Sequence, residues 1–189
     1  ENYQALGIGP GLGQRNETAL ALEFVLRHYR RPMVVDADAL NIISDRRELL
    51  PLMPEGSIMT PHPKEFERLA GKAANDFDRL DILCALARQT RCFIVLKGAY
   101  SAIAEPDGTI HFNSSGNPGM ATGGSGDVLT GIITGLLAQK YSPSNAARIG
   151  VYLHGLAGDL AAAELGENSL TSSDIVNYLP AAFLRLTRK

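Results

Sequence analysis

The chain is short of several features that would tie it to common functions. Its 189 residues include no tryptophan and only two cysteines, aromatic residues make up 6%, and 18 Lys and Arg stand against 20 Asp and Glu for a formal charge of −2. Cys84 lies in a helical run and Cys92 in a strand-like run, so the pair reads as reduced core residues rather than a disulfide or a metal site. With no Lys/Arg run and no basic excess, nothing recruits the chain to nucleic acid, and a charged ligand would have to be held by local groups. No apolar run has the length of a transmembrane helix and no basic-then-apolar leader opens the chain, which places the expected setting in the cytoplasm, away from membranes.

What is present is a globular composition, 45% hydrophobic and 20% charged, with length enough for a sizeable core. Repeats, low-complexity tracts and linkers are lacking, so residues 1–189 read as one domain. The first residue is Glu1 rather than Met, and Ala5-Leu-Gly-Ile8 already reads as a buried strand. The chain is therefore expected to begin part-way through that domain.

Strands and helices alternate along it. Gly7, Gly9, Gly11 and Gly13 punctuate a turn after the first strand, and Leu22, Val25, Leu26 and Tyr29 then follow the spacing of an amphipathic helix begun by Asn16 or Glu17. Met33-Val-Val-Asp36 is a short apolar strand ending in acids; Asp36 and Asp38 put two carboxylates at its carboxyl end, where ligands collect, and Asp38 is equally the N-cap of a segment at 39–43. The strand Ser57-Ile-Met-Thr60 runs into Pro61-His-Pro-Lys-Glu65 and a helix closed by Gly71. There Pro63 suits the first helical position and Glu65 the third, a capping arrangement, while His62 at the strand end is equally a ligand contact. Leu80, Leu83, Cys84 and Ala87 mark the next helix, and Cys92-Phe-Ile-Val-Leu96 reads as a strand buried on both faces, ending in Lys97. Residues 101–105 and 109–113 alternate around Pro106-Asp-Gly108 and predict a β-hairpin. The sum is an α/β layered fold with a mainly parallel sheet.

The hairpin delivers the chain into Asn113-Ser-Ser-Gly-Asn-Pro-Gly-Met-Ala-Thr-Gly-Gly-Ser-Gly-Asp127, followed by an apolar-periodic run over 128–139. A glycine-rich loop feeding a helix start aims unpaired backbone N–H groups at one point, and the helix dipole adds positive charge there. Such a corner attracts phosphate. Asp127 would repel the anion unless it had a proton to take from a neighbouring hydroxyl, so cradle and carboxylate together point to phosphoryl transfer to an alcohol; the alternative is that Asp127 merely caps the helix. Beyond it, Leu129, Ile132, Ile133, Leu136 and Leu137 make a buried stripe, and Gly131 with Gly135 would let another backbone pack closely. A long helix from Ser142-Pro143 carries Ala147, Gly150, Val151, His154, Ala157, Gly158 and Ala161 on one face, and Thr171 or Ser172 caps a last helix. His154 is the large polar group of that small-residue stripe, either a satisfied core histidine or a group reaching the site.

Gly7-Ile-Gly-Pro-Gly-Leu-Gly13, Val35-Asp-Ala-Asp-Ala-Leu40, Thr60-Pro-His-Pro-Lys-Glu65, Leu96-Lys-Gly-Ala-Tyr-Ser101 and Gly116-Asn-Pro-Gly-Met-Ala-Thr-Gly-Gly-Ser-Gly-Asp-Val-Leu129 occur in that order. Together they resemble the ADP-dependent NAD(P)H-hydrate dehydratases, a carbohydrate-kinase-like branch of the ribokinase-like fold. The resemblance implies a three-layer α/β/α domain, of which this chain would lack the N-terminal part. It implies a carbon-oxygen lyase that dehydrates the S epimer of hydrated NADH or NADPH, using ADP and magnesium and releasing AMP and phosphate. Asp127 would be the catalytic base; Gly11, His62 and Asp127 would contact the hydrated dinucleotide. Lys97, Gly98, Ala99, Tyr100, Ser101, Asn117, Gly124, Ser125 and Gly126 would hold the adenine nucleotide, and Glu65 would position magnesium through water. The resemblance also implies a homo-oligomer.

Three other readings use the same residues. A ribokinase-like small-molecule kinase would keep Asp127 and the cradle but use ATP. A non-catalytic nucleotide-binding module would have no need of Asp127. A Rossmann-type dehydrogenase would bind its cofactor on Gly7 to Gly13, where Leu12 stands in place of the third glycine of G-x-G-x-x-G.

Overall fold

The structure is a computed structural model that describes residues 4–187. Glu1 and the other terminal positions of the expected domain, residues 1–3 and 188–189, lie outside them.

Four short apolar runs become parallel strands because helices connect them: β1 (Gly7–Ile8), β2 (Val34–Val35), β3 (Ile58–Met59) and β4 (Phe93–Leu96). The hairpin expected around Pro106-Asp-Gly108 adds β5 (Ala102–Ala104) and β6 (Ile110–Phe112) antiparallel, completing a six-stranded sheet in the order β1-β2-β3-β4-β5-β6. Crossovers between parallel strands are right-handed, so a strand order that follows the sequence keeps the connecting helices on one face. On that face lie α1 (Asn16–His28), α2 (Ala37–Asp45), α3 (Pro63–Ala70) and α4 (Asp76–Thr90). The other face is covered by α5 (Ser125–Ala138) and α6 (Pro143–Leu165), with α7 (Ser172–Thr187) packed on α6.

The pleat sorts the core between these layers. Val35, Met59, Ile94 and Leu96 join the α1–α4 side, whereas Val34, Ile58, Phe93, Val95 and Ile103 join the α5–α6 side. β2, β3 and β4 are buried on both faces, which is why these three runs showed no polar alternation. The result is the expected α/β/α sandwich. Cys84 and Cys92 are both free, and burial raises the Cys92 thiol to about 11, so it remains protonated packing. No helix among the described residues is long and apolar enough to cross a membrane.

Two local expectations are corrected. Asp38 is not an N-cap: α2 starts at Ala37 behind Asp36, and the Asp38 carboxylate instead accepts from the Gly13 N–H at 2.8 Å and Gln14 Nε2 at 2.7 Å. Nor does a backbone pack on Gly131 and Gly135, since a Cβ at either would meet open space. They line a cavity of about 640 Å³ together with Gly7, Gly9, Pro10, Leu12 and Asp127. The close approach falls on α6, where a Cβ at Gly150 would lie 2.7 Å from Ile133 Cγ1 of α5.

Candidate active site

Parallel strands present their carboxyl ends at one sheet edge, and the turns after β1, β2, β3 and β4 meet there. The first turn is set by Gly9, whose φ of +133° and closeness to the next turn exclude any side chain: a Cβ would sit 1.7 Å from the Asp36 carbonyl oxygen. Asp38 then ties the end of this loop down through Gly13 and Gln14. Gly11 is exposed on the same loop, with φ +64°.

After β3 the sequence Pro61-His62-Pro63 stops the strand and starts α3. His62 is the N-cap and its Nδ1 accepts from the Lys64 and Glu65 N–H groups, at 3.1 and 3.3 Å; Glu65 Oε2 returns the favour by accepting from the His62 N–H at 2.8 Å. This is a capping box with histidine in the usual Ser/Thr place. An Nδ1 that accepts leaves the proton on Nε2, which lies 3.3 Å from Glu65 Oε1. Glu65 is buried, and both of its oxygens face His62.

After β4, Lys97 turns its ammonium back across the edge to Asp36 Oδ1 at 2.8 Å, while Asp36 Oδ2 accepts from the Thr130 hydroxyl of α5 at 2.9 Å. Glu65 Oε2 lies 3.9 Å from the same ammonium. A Cβ at Gly126 would be 3.5 Å from Lys97 Nζ and 3.7 Å from Asp36 Oδ2, ordinary contact distances that place the start of α5 directly beside this pair. The loop beyond Lys97 leaves Gly98, Ala99 and Tyr100 exposed and is closed by the Gly98 N–H donating to Ser101 Oγ at 3.3 Å.

Helix α5 begins at Ser125, with Gly124 as the N-cap at φ +85°. Asp127 therefore lies within the first turn and is not the cap. Its carboxylate is exposed and makes no hydrogen bond or ion pair to any described residue. The Ser125 N–H donates to the Thr122 carbonyl at 3.3 Å, but the Gly126 and Asp127 N–H groups find no acceptor among the described residues. These are the orphan donors of a helix start, and with the helix dipole they favour an anion at that point.

The expected residues are thus drawn together unequally. Lys97 and Gly126 meet at Asp36, Glu65 lies near the Lys97 ammonium and holds His62, and Asp127 shares a cavity with Gly9, Pro10 and Leu12. Asn117 is committed elsewhere: its Nδ2 donates to Asp159 Oδ1 at 2.9 Å and its Oδ1 accepts from the Gly119 N–H at 3.1 Å. Asp36, read from sequence only as a carboxylate at the ligand edge, and Thr130, not singled out at all, complete the cluster. A strand-end acid matched to a lysine at the next strand but one end was the available signal for Asp36, whereas Thr130 carries none.

His154 is partly buried behind α5, with Nε2 2.9 Å from the Ser125 carbonyl oxygen. Burial, and secondarily the charge of Lys97, pulls its pKa down to about 4 against the opposing effect of the Ser125 bond, so the ring is neutral. For magnesium the fit is poor. Glu65 has both oxygens engaged with His62 and an ammonium nearby, and no group of three His, Cys, Asp or Glu side chains among the described residues is arranged to hold a metal ion.

Comparison with known proteins agrees with this architecture. The chain is 42% identical over 183 residues to the bifunctional NAD(P)H-hydrate repair enzyme Nnr of Thermofilum pendens, covering 96% of the chain and 35% of that enzyme. It is 36% identical over 187 residues to the ADP-dependent (S)-NAD(P)H-hydrate dehydratase of Bacillus subtilis, covering 98% of the chain and 66% of the enzyme. The crystal structure of the Bacillus subtilis ADP/ATP-dependent NAD(P)H-hydrate dehydratase, co-crystallized with ATP and Mg2+, superposes with a TM-score of 0.83 at 34% identity, over 98% of this chain and 67% of that one. The chain therefore spans about a third of the bifunctional relative and about two thirds of the single-activity one. With a family model described as NAD(P)H-hydrate dehydratase matching residues 1–181, and with the order of turns around Asp36 and Asp127 following the same fold, the chain belongs to the NAD(P)H-hydrate dehydratase family of ribokinase-like domains.

Proposed function

We propose that this chain carries the dehydratase site of a nicotinamide-cofactor repair enzyme, acting on the S epimer of hydrated NADH or NADPH with ADP as phosphoryl donor. The single observation that carries the reading is the unpartnered Asp127 carboxylate in the first turn of α5, beside the unpaired N–H groups of Gly126 and Asp127. A pure anion site gains nothing from a carboxylate there.

Hydroxide is a poor leaving group, so the ring hydroxyl is activated first. Asp127 takes the hydroxyl proton while the oxygen attacks the terminal phosphorus of ADP, and the phosphorus–oxygen bond to AMP breaks. The helix-start N–H groups, the Gly124 turn and the Ser125 hydroxyl face the charge that builds on the phosphoryl oxygens. Phosphate then leaves the ring carbon, and loss of a ring proton restores the double bond. The Gly11 loop and His62 line the side from which the dinucleotide approaches. Lys97 to Ser101 hold the nucleotide, with Asn117, braced by Asp159, beside its phosphates. An oligomeric assembly, a cytoplasmic setting and the action of residues 1–189 as one domain belong to the same reading; the family's printed use of ADP and the ATP of the Bacillus subtilis crystals support its nucleotide.

The test is incubation of the protein with hydrated NADH and ADP. Recovery of the reduced-nicotinamide absorbance with stoichiometric AMP is expected. No recovery with the full-length protein overturns the proposal.

A further inference from the structure

Helix α6 backs the glycine-rich loop at both of its ends. At the entrance, Ser115 Oγ donates to the Tyr152 carbonyl, the Gly116 N–H donates to Asp159 Oδ2, and Asn117 Nδ2 donates to Asp159 Oδ1, each at 2.9 Å. At the exit, His154 Nε2 reaches the Ser125 carbonyl at 2.9 Å and lies 3.3 Å from Ser125 Oγ. Asp159 follows His154 by little more than one helical turn, so one stretch of α6 holds both ends. Glycines make the seat possible: a Cβ at Gly155 would lie 2.2 Å from Ser115 Oγ, and one at Gly158 would lie 2.2 Å from Met120 Sδ.

The chemistry of the exit contact fixes a tautomer. A carbonyl oxygen only accepts, so His154 carries its proton on Nε2 and donates it. The Ser125 hydroxyl is then not needed as a donor to the ring, and its hydrogen can turn to an incoming oxygen. If His154 merely filled the core, neither the donor nor its match to the first residue of α5 would matter.

We propose that His154 and Asp159 are positioning residues of the anion loop. Asp159 holds its entrance through Gly116 and Asn117; His154 holds its exit through Ser125, keeping the Gly126 and Asp127 N–H groups and the Ser125 hydroxyl on a common aim. This rests on the reading of the loop as the phosphoryl cradle, and it assigns to α6 a role that no contact with nucleotide or dinucleotide would reveal.

Three variants at His154 and one at Asp159, all in the full-length protein, decide it. His154→Gln places an amide donor near the position of Nε2, His154→Leu removes the donor, and His154→Asn keeps an amide that is too short to reach. The readouts are the backbone amide resonances of residues 124–127 in the free protein, ADP affinity by calorimetry, and kcat and KM with hydrated NADH. In the Leu and Asn variants we expect the resonances to move and kcat to fall about 30-fold, the order expected when a buried donor is lost. The KM for hydrated NADH stays within about threefold, and His154→Gln restores the resonances and kcat to within about threefold. Asp159→Ala moves the resonances of residues 116–119 and lowers ADP affinity.

Unchanged resonances and kcat in both the Leu and Asn variants overturn the inference. Equal losses in Gln, Leu and Asn also overturn it, because packing rather than the donor would then be at stake. If the Leu variant does not fold, the Gln and Asn pair makes the same comparison. Should the wild-type protein bind ADP but fail to dehydrate hydrated NADH, the dehydratase reading falls, while the resonance and affinity comparisons still decide the role of His154.

Discussion

The Lys97 ammonium lies 2.8 Å from Asp36 Oδ1 and joins the ends of β2 and β4 beside the first turn of α5. Asp36 is almost wholly buried, and its remaining partner is the Thr130 hydroxyl. The pair is therefore both a structural tie and the floor of the proposed cradle.

Removing one member leaves the other charge stranded. Lys97→Met should destabilise the fold by about 3–5 kcal/mol, the range for breaking a buried pair, and abolish ADP binding. Adding Asp36→Asn should recover much of the stability but none of the affinity. Urea denaturation and calorimetry on both variants separate the two effects; equal recovery of both would mean that Lys97 serves only Asp36.

Asp127 has no partner among the described residues, so its replacement should barely touch stability. Asp127→Asn removes one charge favourable to the helix dipole, about 0.5 kcal/mol, yet should lower kcat by roughly 1,000-fold if the carboxylate is the base. ADP affinity should hold or rise, since a negative charge beside the anion is gone. Survival of turnover would reduce Asp127 to a first-turn acid.

The helix glycines should separate by what faces them. Gly131→Ala points into open space and should stabilise the fold by up to about 1 kcal/mol through helix propensity alone. Gly150→Ala drives a methyl to 2.7 Å from Ile133 Cγ1 and should lower the melting temperature. Because Gly131 lines the cavity shared with Asp127, the same Gly131→Ala protein should show a raised KM for the dinucleotide if that cavity receives it.

Acid should act through His154. Its folded pKa, about 4, lies below the ordinary value of 6.5, so the fold favours the neutral ring. The unfolded chain then takes up the proton first: the contribution is complete above about pH 6.5 and is lost as pH falls toward about 4, by up to about 3 kcal/mol. Melting temperatures of wild type and His154→Gln, compared from pH 7 to pH 4, should converge as pH drops. Parallel curves would show that the ring is not held neutral.

Much of this was readable in the chain itself. Pro63, Glu65 and Gly71 bounded α3 by capping chemistry that needs only neighbours in sequence, and Pro106-Asp-Gly108 placed the hairpin for the same reason. The motifs from Gly7 to Leu129 carried the family, because a turn that approaches phosphate closely demands glycine at fixed spacing. Residue spacing says nothing, however, about which distant groups meet. It could not show that Asp38 serves Gly13 and Gln14, that Gly131 and Gly135 face a cavity while Gly150 takes the close packing, or that Asn117 is spent on Asp159. Those choices depend on the order of strands in the sheet and the seating of α6 behind α5. The sequence alone determined the elements and the residue types gathered at the sheet edge; the tertiary structure decided the partners, because a carboxylate or an imidazole takes its role from the donor that packing brings within 3 Å.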